Sequence, residues 1–365
     1  MNPSATRSAT IEDHAVSELH DSELPDGESR DSLDARLDAL ARWLSDHSEL
    51  GGLALTPASG DASFRRYFRV QNSAGSWIAM DAPPPMEACG PFIDVAKLLR
   101  AMSLNVPEIV AADLEQGFVL MTDLGERQYQ GVLEDDPSRI DALYEDAVVA
   151  LVRMQQEGAG VLRQLPLYDE ELLRFEMSLF RDWLVGRHLG SAFTKSEAAA
   201  WTAACDLLVG NALAQTQVFV HRDYHSRNLM LVEDGNPGIL DFQDAVQGPI
   251  TYDLVSLLKD CYLELPHPVV RRFAMRFCDA VDDVSAQLLD REAFWRSFEL
   301  MGVQRHLKAA GIFARLLHRD GKAGYMPEVP RTLRYIVAVA PRYPELAFLG
   351  ELIETRYLPA LGERA

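Results

Sequence analysis

With 365 residues and a formal net charge of −20, the chain is long enough for one large domain or two lobes with cores of their own. Its 48% hydrophobic and 25% charged content is that of an ordinary globular protein, and its acidity argues against nucleic acid or an anionic membrane as a partner. No apolar run approaches the roughly 18 residues that a membrane-spanning helix needs. The first 30 residues lack a basic start followed by an apolar core, so no signal peptide is expected and a cytoplasmic location is. Cys89, Cys205, Cys261 and Cys278 form no C-x-x-C pair and read as buried free thiols in a reducing compartment.

In chain order, residues 1–30 are polar and acidic and predict a disordered tail. Leu33, Leu37, Leu40, Trp43 and Leu44 recur at helical spacing behind an Asp31-Ser32 cap, which predicts a helix over 33–48. Three strands follow, over 53–56, 64–70 and 77–80. Between the first two lies the small-residue loop Gly60-Asp61-Ala62-Ser63, whose backbone N–H groups could meet a phosphate. After Pro83-Pro84-Pro85 a helix is expected over 90–103, then strands over 109–112 and 118–122. From 138 onward the pattern is helical: 138–157, 169–187, 195–215, 251–264, 267–289, 291–318, 328–340 and 345–357. A sheet-rich first third and a helix-rich remainder predict a two-lobed α+β fold, with a β-rich nucleotide-binding lobe over 31–124 and a helical catalytic lobe over 125–365.

One stretch breaks the helical pattern. Val218-Phe219-Val220 reads as a short buried strand, followed by His221-Arg222-Asp223 and, five residues after Asp223, by Asn228. A hairpin over 229–240, turning through Asp234-Gly235-Asn236-Pro237-Gly238, ends in Asp241-Phe242-Gln243. The spacing H-R-D-x-x-x-x-N followed by D-F-x is a kinase signature. It supplies one carboxylate, Asp223, to accept the proton of an incoming hydroxyl. An amide oxygen (Asn228) and a second carboxylate (Asp241) are left to hold Mg²⁺ on the phosphates of ATP. Arg222 is counted with these as catalytic. Oxygen ligands of this kind suit Mg²⁺ rather than zinc.

Two departures qualify the signature. Gln243 replaces the glycine that protein kinases carry after Asp-Phe, which points to a small-molecule acceptor. Met80 stands where a strand lysine would hold the nucleotide phosphates, and the first lysine in the chain is Lys97. The lysine–glutamate ion pair is therefore absent, and Arg65, Arg66 and Arg69 are the candidate replacements. Neighbours on a strand point to opposite faces, so only one of Arg65 and Arg66 can face a nucleotide.

These motifs resemble the aminoglycoside phosphotransferase family over residues 35–330. Within it, the segments GDASFRRYFRV (60–70), MDAPP (80–84), HRDYHSRNLM (221–230), GILDFQDAVQGPITYDLVSLLKDCY (238–262) and GVQRHLKAAGIFARL (302–316) look like the anomeric sugar kinases of bacterial cell-wall recycling. The resemblance implies a protein-kinase-like fold and ATP-dependent phosphorylation of N-acetylmuramate or N-acetylglucosamine at the C1 hydroxyl. It also implies a product passed on to a sugar-1-phosphate nucleotidyltransferase. Gly60, Ala62, Ser63, Arg65, Arg66, Met121, Asp123 and Leu124 would then contact ATP, the last three at the hinge against adenine. Tyr224, His225 and Gln243 would flank the sugar. Arg305 or Arg315, on a basic helix face over 305–319, would receive the lactyl carboxylate. His221 and Asp253 would be structural supports, Asp253 by binding the backbone of the catalytic loop. The rival readings are a kinase of aminoglycosides, choline or homoserine, and a pseudokinase that binds nucleotide without turnover.

Overall fold

A computed structural model describes residues 30–47, 50–60, 64–84, 86–285 and 290–362. The tail expected over 1–30 lies outside them except for Arg30, which begins helix α1 (Arg30–His47). Five strands form the first sheet: β1 (Thr56–Gly60), β2 (Arg66–Asn72), β3 (Gly75–Asp81), β4 (Ile109–Asp113) and β5 (Phe118–Thr122). Their order is β1-β2-β3-β5-β4, and every neighbouring pair is antiparallel. The sheet begins later than the sequence predicts, with Leu53 and Leu55 packing as loop residues under α1.

Strand alternation divides this sheet into two faces. Phe68, Val70, Ala79, Phe118 and Leu120 pack with Leu40, Trp43 and Leu44 of α1 on the outer face. Met80, Val119 and Met121 face the other way and join the main core, with Phe92, Val95, Ala96 and Leu99 of helix α2 (Cys89–Ala101). Each face thus buries apolar residues against a helix, which is why β5 reads as the continuous apolar run Phe118-Val119-Leu120-Met121.

The second lobe is helical: α3 (Tyr129–Asp135), α4 (Ile140–Glu157), α5 (Glu170–Leu179), α6 (Lys195–Ala214), α7 (Tyr252–Leu258), α8 (His267–Ser285), α9 (Arg291–Asp320), α10 (Val329–Val339), α11 (Pro344–Leu352) and α12 (Leu358–Gly362). Helix α9 is its axis. Asp290 caps its start by accepting the Glu292 N–H at 3.0 Å, and Gly321 ends it in the left-handed region at φ +67°. In its middle, Gly311 lets the α5 backbone approach: a Cβ there would sit 2.3 Å from the carbonyl carbon of Leu179. Just past that contact α5 widens into a π-helical stretch over Phe180–His188, so the single helix expected over 169–187 is two pieces.

Two short pairs interrupt the helices. β6 (Gln217–Val220) pairs with β9 (Val246–Pro249), and β7 (Leu229–Met230) pairs with β8 (Gly238–Ile239). The helix expected over 251–264 stops at Leu258, because Lys259 leaves helical geometry at φ −123°, ψ 50°. That early stop frees Asp260 for the loop described next. Among the described residues, no helix is long and apolar enough to cross a membrane.

Candidate active site

The segment between β6 and β9 is fastened from below by two buried aspartates. Asp253, in the first turn of α7, accepts the backbone N–H groups of His221 at 2.6 Å and Arg222 at 2.9 Å. Burial pushes its carboxyl up to about 7, against the pull of those two amides. Asp260 accepts the N–H of Ser226 at 3.0 Å through one oxygen and that of Tyr262 at 2.7 Å through the other. Asp253 makes the backbone contacts that the family resemblance implied. Asp260 was not anticipated, since it falls where a continuous helix was expected.

On this base the three motif residues converge. The Asn228 side-chain nitrogen donates to the Asp223 carbonyl at 2.9 Å and to the Asp241 carboxylate at 3.1 Å. Asp223 and Asp241 are thus tied through one amide although 18 positions apart. Arg222 and Asp241 both adopt positive φ, +79° and +62°. Such conformations are costly for side-chain-bearing residues and gather at functional sites. The His221 ring takes the Asp223 N–H at 3.2 Å, and burial lowers its pKa to about 4, so the ring is neutral near pH 7.

Burial alone would raise the Asp223 carboxyl, yet Lys308, with His225, Arg305 and Arg222, holds it below the ordinary range. Asp223 is therefore ionised at neutral pH. The cations around it are organised by Glu176 of α5, a buried carboxylate bonded to Arg222 and to the Tyr168 hydroxyl and ion-paired with Lys308 at 3.0 Å. Desolvation of Glu176 is outweighed by Lys308 and Arg222, so it too stays charged. Lys308 also donates to the Tyr252 hydroxyl at 3.0 Å. Lys308 was expected only as part of the basic face of α9, and Glu176 was not singled out; only their positions in the folded lobe join them to Arg222.

These groups open on a cavity of about 960 Å³ between the lobes. Tyr67, Arg69, Ile78 and Met121 line it from the sheet, with Thr122 to Glu126 at the crossing between lobes. Asp223, His225, Arg227, Asn228 and Asp241 line it from the loop, and Arg305, Lys308, Ile312 and Phe313 from α9. One wall is aromatic: Phe313 stacks on Tyr325 with centroids 5.7 Å apart, His225 meets Tyr262 edge-on at 5.2 Å, and Arg227 lies over Tyr262 at 4.2 Å.

Several expected contacts are placed elsewhere. Tyr224 is fully buried and gives its hydroxyl to the Ala147 carbonyl at 2.8 Å, so it is a core residue and not a cavity wall. Gln243 does not line the cavity; it donates to Asp241 at 2.8 Å and steadies that carboxylate. Arg305 is 6% exposed and lines the cavity, whereas Arg315, further along α9, does not. The basic face expected on this helix is therefore divided, with Arg319 paired to Asp320 at 2.8 Å. Arg66 is on the outer face of the sheet, where it and Arg36 of α1 grip the buried Asp81. Asp123 lines the cavity, but its carboxylate is bonded to Arg69 at 2.6 Å and Ser76 at 2.6 Å, leaving its backbone for any adenine contact. Ala62 and Ser63 lie outside the described residues, and of Gly60 only the backbone, at the end of β1, is described. All four cysteines are buried, and none forms a disulfide among the described residues.

A model of the phosphotransferase enzyme family matches residues 54–295. The chain belongs to this family. It is 48% identical over 334 residues to an N-acetylmuramate/N-acetylglucosamine kinase of Pseudomonas aeruginosa, covering 88% of this chain and 97% of that protein. A protein of the same name from Neisseria meningitidis is 43% identical over 86% of this chain and 94% of its own length. Among solved structures, an ethanolamine kinase of Plasmodium vivax matches 94% of this chain and 98% of its own with a TM-score of 0.60 at 10% identity. An ADP-bound aminoglycoside phosphotransferase matches 81% of this chain and 97% of its own with a TM-score of 0.55 at 14% identity. The fold is thus the two-lobed one shared by these kinases.

Proposed function

We propose that this protein transfers the γ-phosphoryl group of ATP to the C1 hydroxyl of N-acetylmuramate or N-acetylglucosamine. The observation that carries the chemistry is the convergence of Asp223, Asn228 and Asp241 on one cavity, with Asp223 ionised by surrounding cations. The substrate class rests on the relatives of that name, matched over nearly their whole length.

Asp223 is the base that takes the proton of the acceptor hydroxyl. An anomeric hydroxyl is more acidic than other sugar hydroxyls, so a carboxylate of low pKa suffices. The Asn228 amide fits a cation site: its nitrogen is committed to Asp223 and Asp241, which leaves its oxygen as the free donor beside the Asp241 carboxylate. Two oxygen ligands are what the protein usually contributes to Mg²⁺ on phosphates. Bound there, Mg²⁺ would offset charge on the phosphates. Met121, Asp123 and Leu124 would border adenine. The apolar faces of Tyr262, Phe313 and Tyr325 suit a sugar ring, and the buried Arg305 guanidinium suits the lactyl carboxylate that N-acetylmuramate has and N-acetylglucosamine lacks. A reaction in the cytoplasm, with the sugar phosphate passed to a nucleotidyltransferase, fits this chemistry.

The test is ATP consumption with Mg²⁺ and N-acetylmuramate, N-acetylglucosamine, kanamycin, choline or no acceptor, with the product identified by phosphorus NMR. Turnover with the amino sugars alone is expected; turnover with another acceptor, or none, would overturn the reading. Arg305→Gln should cost N-acetylmuramate about 10-fold or more in kcat/KM beyond whatever N-acetylglucosamine loses, as expected for one lost charge-assisted contact.

A further inference from the structure

Met80 leaves the strand without the cation that nucleotide phosphates require, and β2 sorts the three arginines beside it. Arg66 shares the outer face with Phe68 and Val70 and is clamped to Asp81. Arg69 faces the cavity but is bonded to Asp123 and Glu126 and to the Gly125 carbonyl at 3.0 Å, so it braces the crossing between lobes. Arg65, the residue just before β2, is not itself among the residues that line the cavity; continuing the alternation of the strand puts it on the face of Tyr67, which lines the cavity and pairs across the sheet with Met80. That puts Arg65 about 7 Å further along the strand than Tyr67, toward the small-residue loop.

Its guanidinium pairs with Glu87 at 2.9 Å, with the two side chains only 9% and 13% exposed. The other Glu87 oxygen accepts the Phe64 N–H at 3.2 Å. Glu87 stands two residues ahead of α2, whose Phe92 lines the cavity. One carboxylate therefore ties the arginine, the end of the loop and the start of α2 together. A sheltered pair of this kind is built into the fold, unlike a loose surface ion pair.

We propose that Arg65 supplies the phosphate-binding cation and that Glu87 is the positioning residue that orients it. The ion pair missing from β3 is then remade by an arginine one strand away and a glutamate ahead of the helix rather than within it. This rests on the nucleotide-binding part of the reading above and not on the identity of the acceptor. The guanidinium would meet the phosphates bidentately, which a strand lysine cannot do.

The experiment measures affinities of the full-length protein for ATP, ADP and adenosine in Mg²⁺ by calorimetry. Arg65→Ala should weaken ATP and ADP by about 10- to 100-fold and leave adenosine within about twofold. Arg65→Lys should recover part of that loss, and it carries the comparison if the alanine variant does not fold. Glu87→Gln should raise the KM for ATP more than that for the sugar. Equal losses for ATP and adenosine would mean a structural role, and unchanged ATP affinity would remove Arg65 from the phosphates; either overturns the proposal. A wild-type protein that binds ATP but phosphorylates no amino sugar would sink the substrate reading and leave this test intact.

Discussion

The loop over 221–241 and the inner face of the N-terminal sheet meet at the same cavity but are built in opposite ways. The loop is held by carboxylates that accept backbone N–H groups, Asp253 under His221 and Arg222 and Asp260 under Ser226. Asp223, Asn228 and Asp241 are left to face the cavity. On the sheet the cations are instead set by side-chain ion pairs. Its arginines are assigned by the carboxylate each one meets: Asp81 for Arg66, Asp123 for Arg69, Glu87 for Arg65. Backbone anchoring preserves a short motif in sequence, because each residue keeps its role wherever the anchor comes from. Side-chain pairing does not, because the partner can be anywhere.

The contrast can be broken most sharply at the loop. Asp223→Asn keeps the shape and removes the base, so kcat should fall by ~10²–10⁴ while ATP affinity persists. Retained turnover would remove Asp223 from proton transfer. Next, Asp253→Ala leaves two buried N–H groups without their acceptor, at about 1–3 kcal/mol each. The melting temperature and kcat should fall together; a stable but inactive variant would mean that Asp253 acts in the chemistry rather than as an anchor.

On the sheet, Arg66→Ala should lower the melting temperature modestly, since Arg36 still grips Asp81, and leave ATP affinity unchanged. A loss of ATP affinity would place Arg66 at the nucleotide after all. The last effect is in pH dependence and shows only in acid. Burial lowers the His306 ring to about 3, below its ordinary 6.5, with its Nε2 2.9 Å from the Lys259 carbonyl. The unfolded chain then binds more protons than the folded one below about pH 6.5, so stability falls as pH drops through that window toward 3. His306→Gln should flatten that slope in acid titrations followed by circular dichroism. An unchanged slope would assign the acid sensitivity to other groups, such as His221.

Legibility followed the same division. Asp223, Asn228, Asp241 and Asp253 were readable because each lies within or next to one continuous motif, and the folded chain brings all four together. Tyr224 and Gln243 were misplaced for the converse reason: adjacency to the motif says nothing about which way a side chain turns. Tyr224 turns into the core toward Ala147 and Gln243 toward Asp241. Glu176 and Asp260 gave no signal. One sat within an amphipathic helix pattern, and the other within a predicted helix that in fact ends at Leu258.

By itself the sequence determined the two-lobed division and the carboxylate–amide–carboxylate spacing, both of which depend on local periodicity or fixed spacing. Tertiary structure alone decided which carboxylate each cation meets. An arginine's long side chain reaches whatever carboxylate the fold brings near. Glu176 lies 46 residues from Arg222 and 132 from Lys308, Asp81 lies 45 from Arg36, and Glu87 lies 22 from Arg65, so no local pattern could pair them.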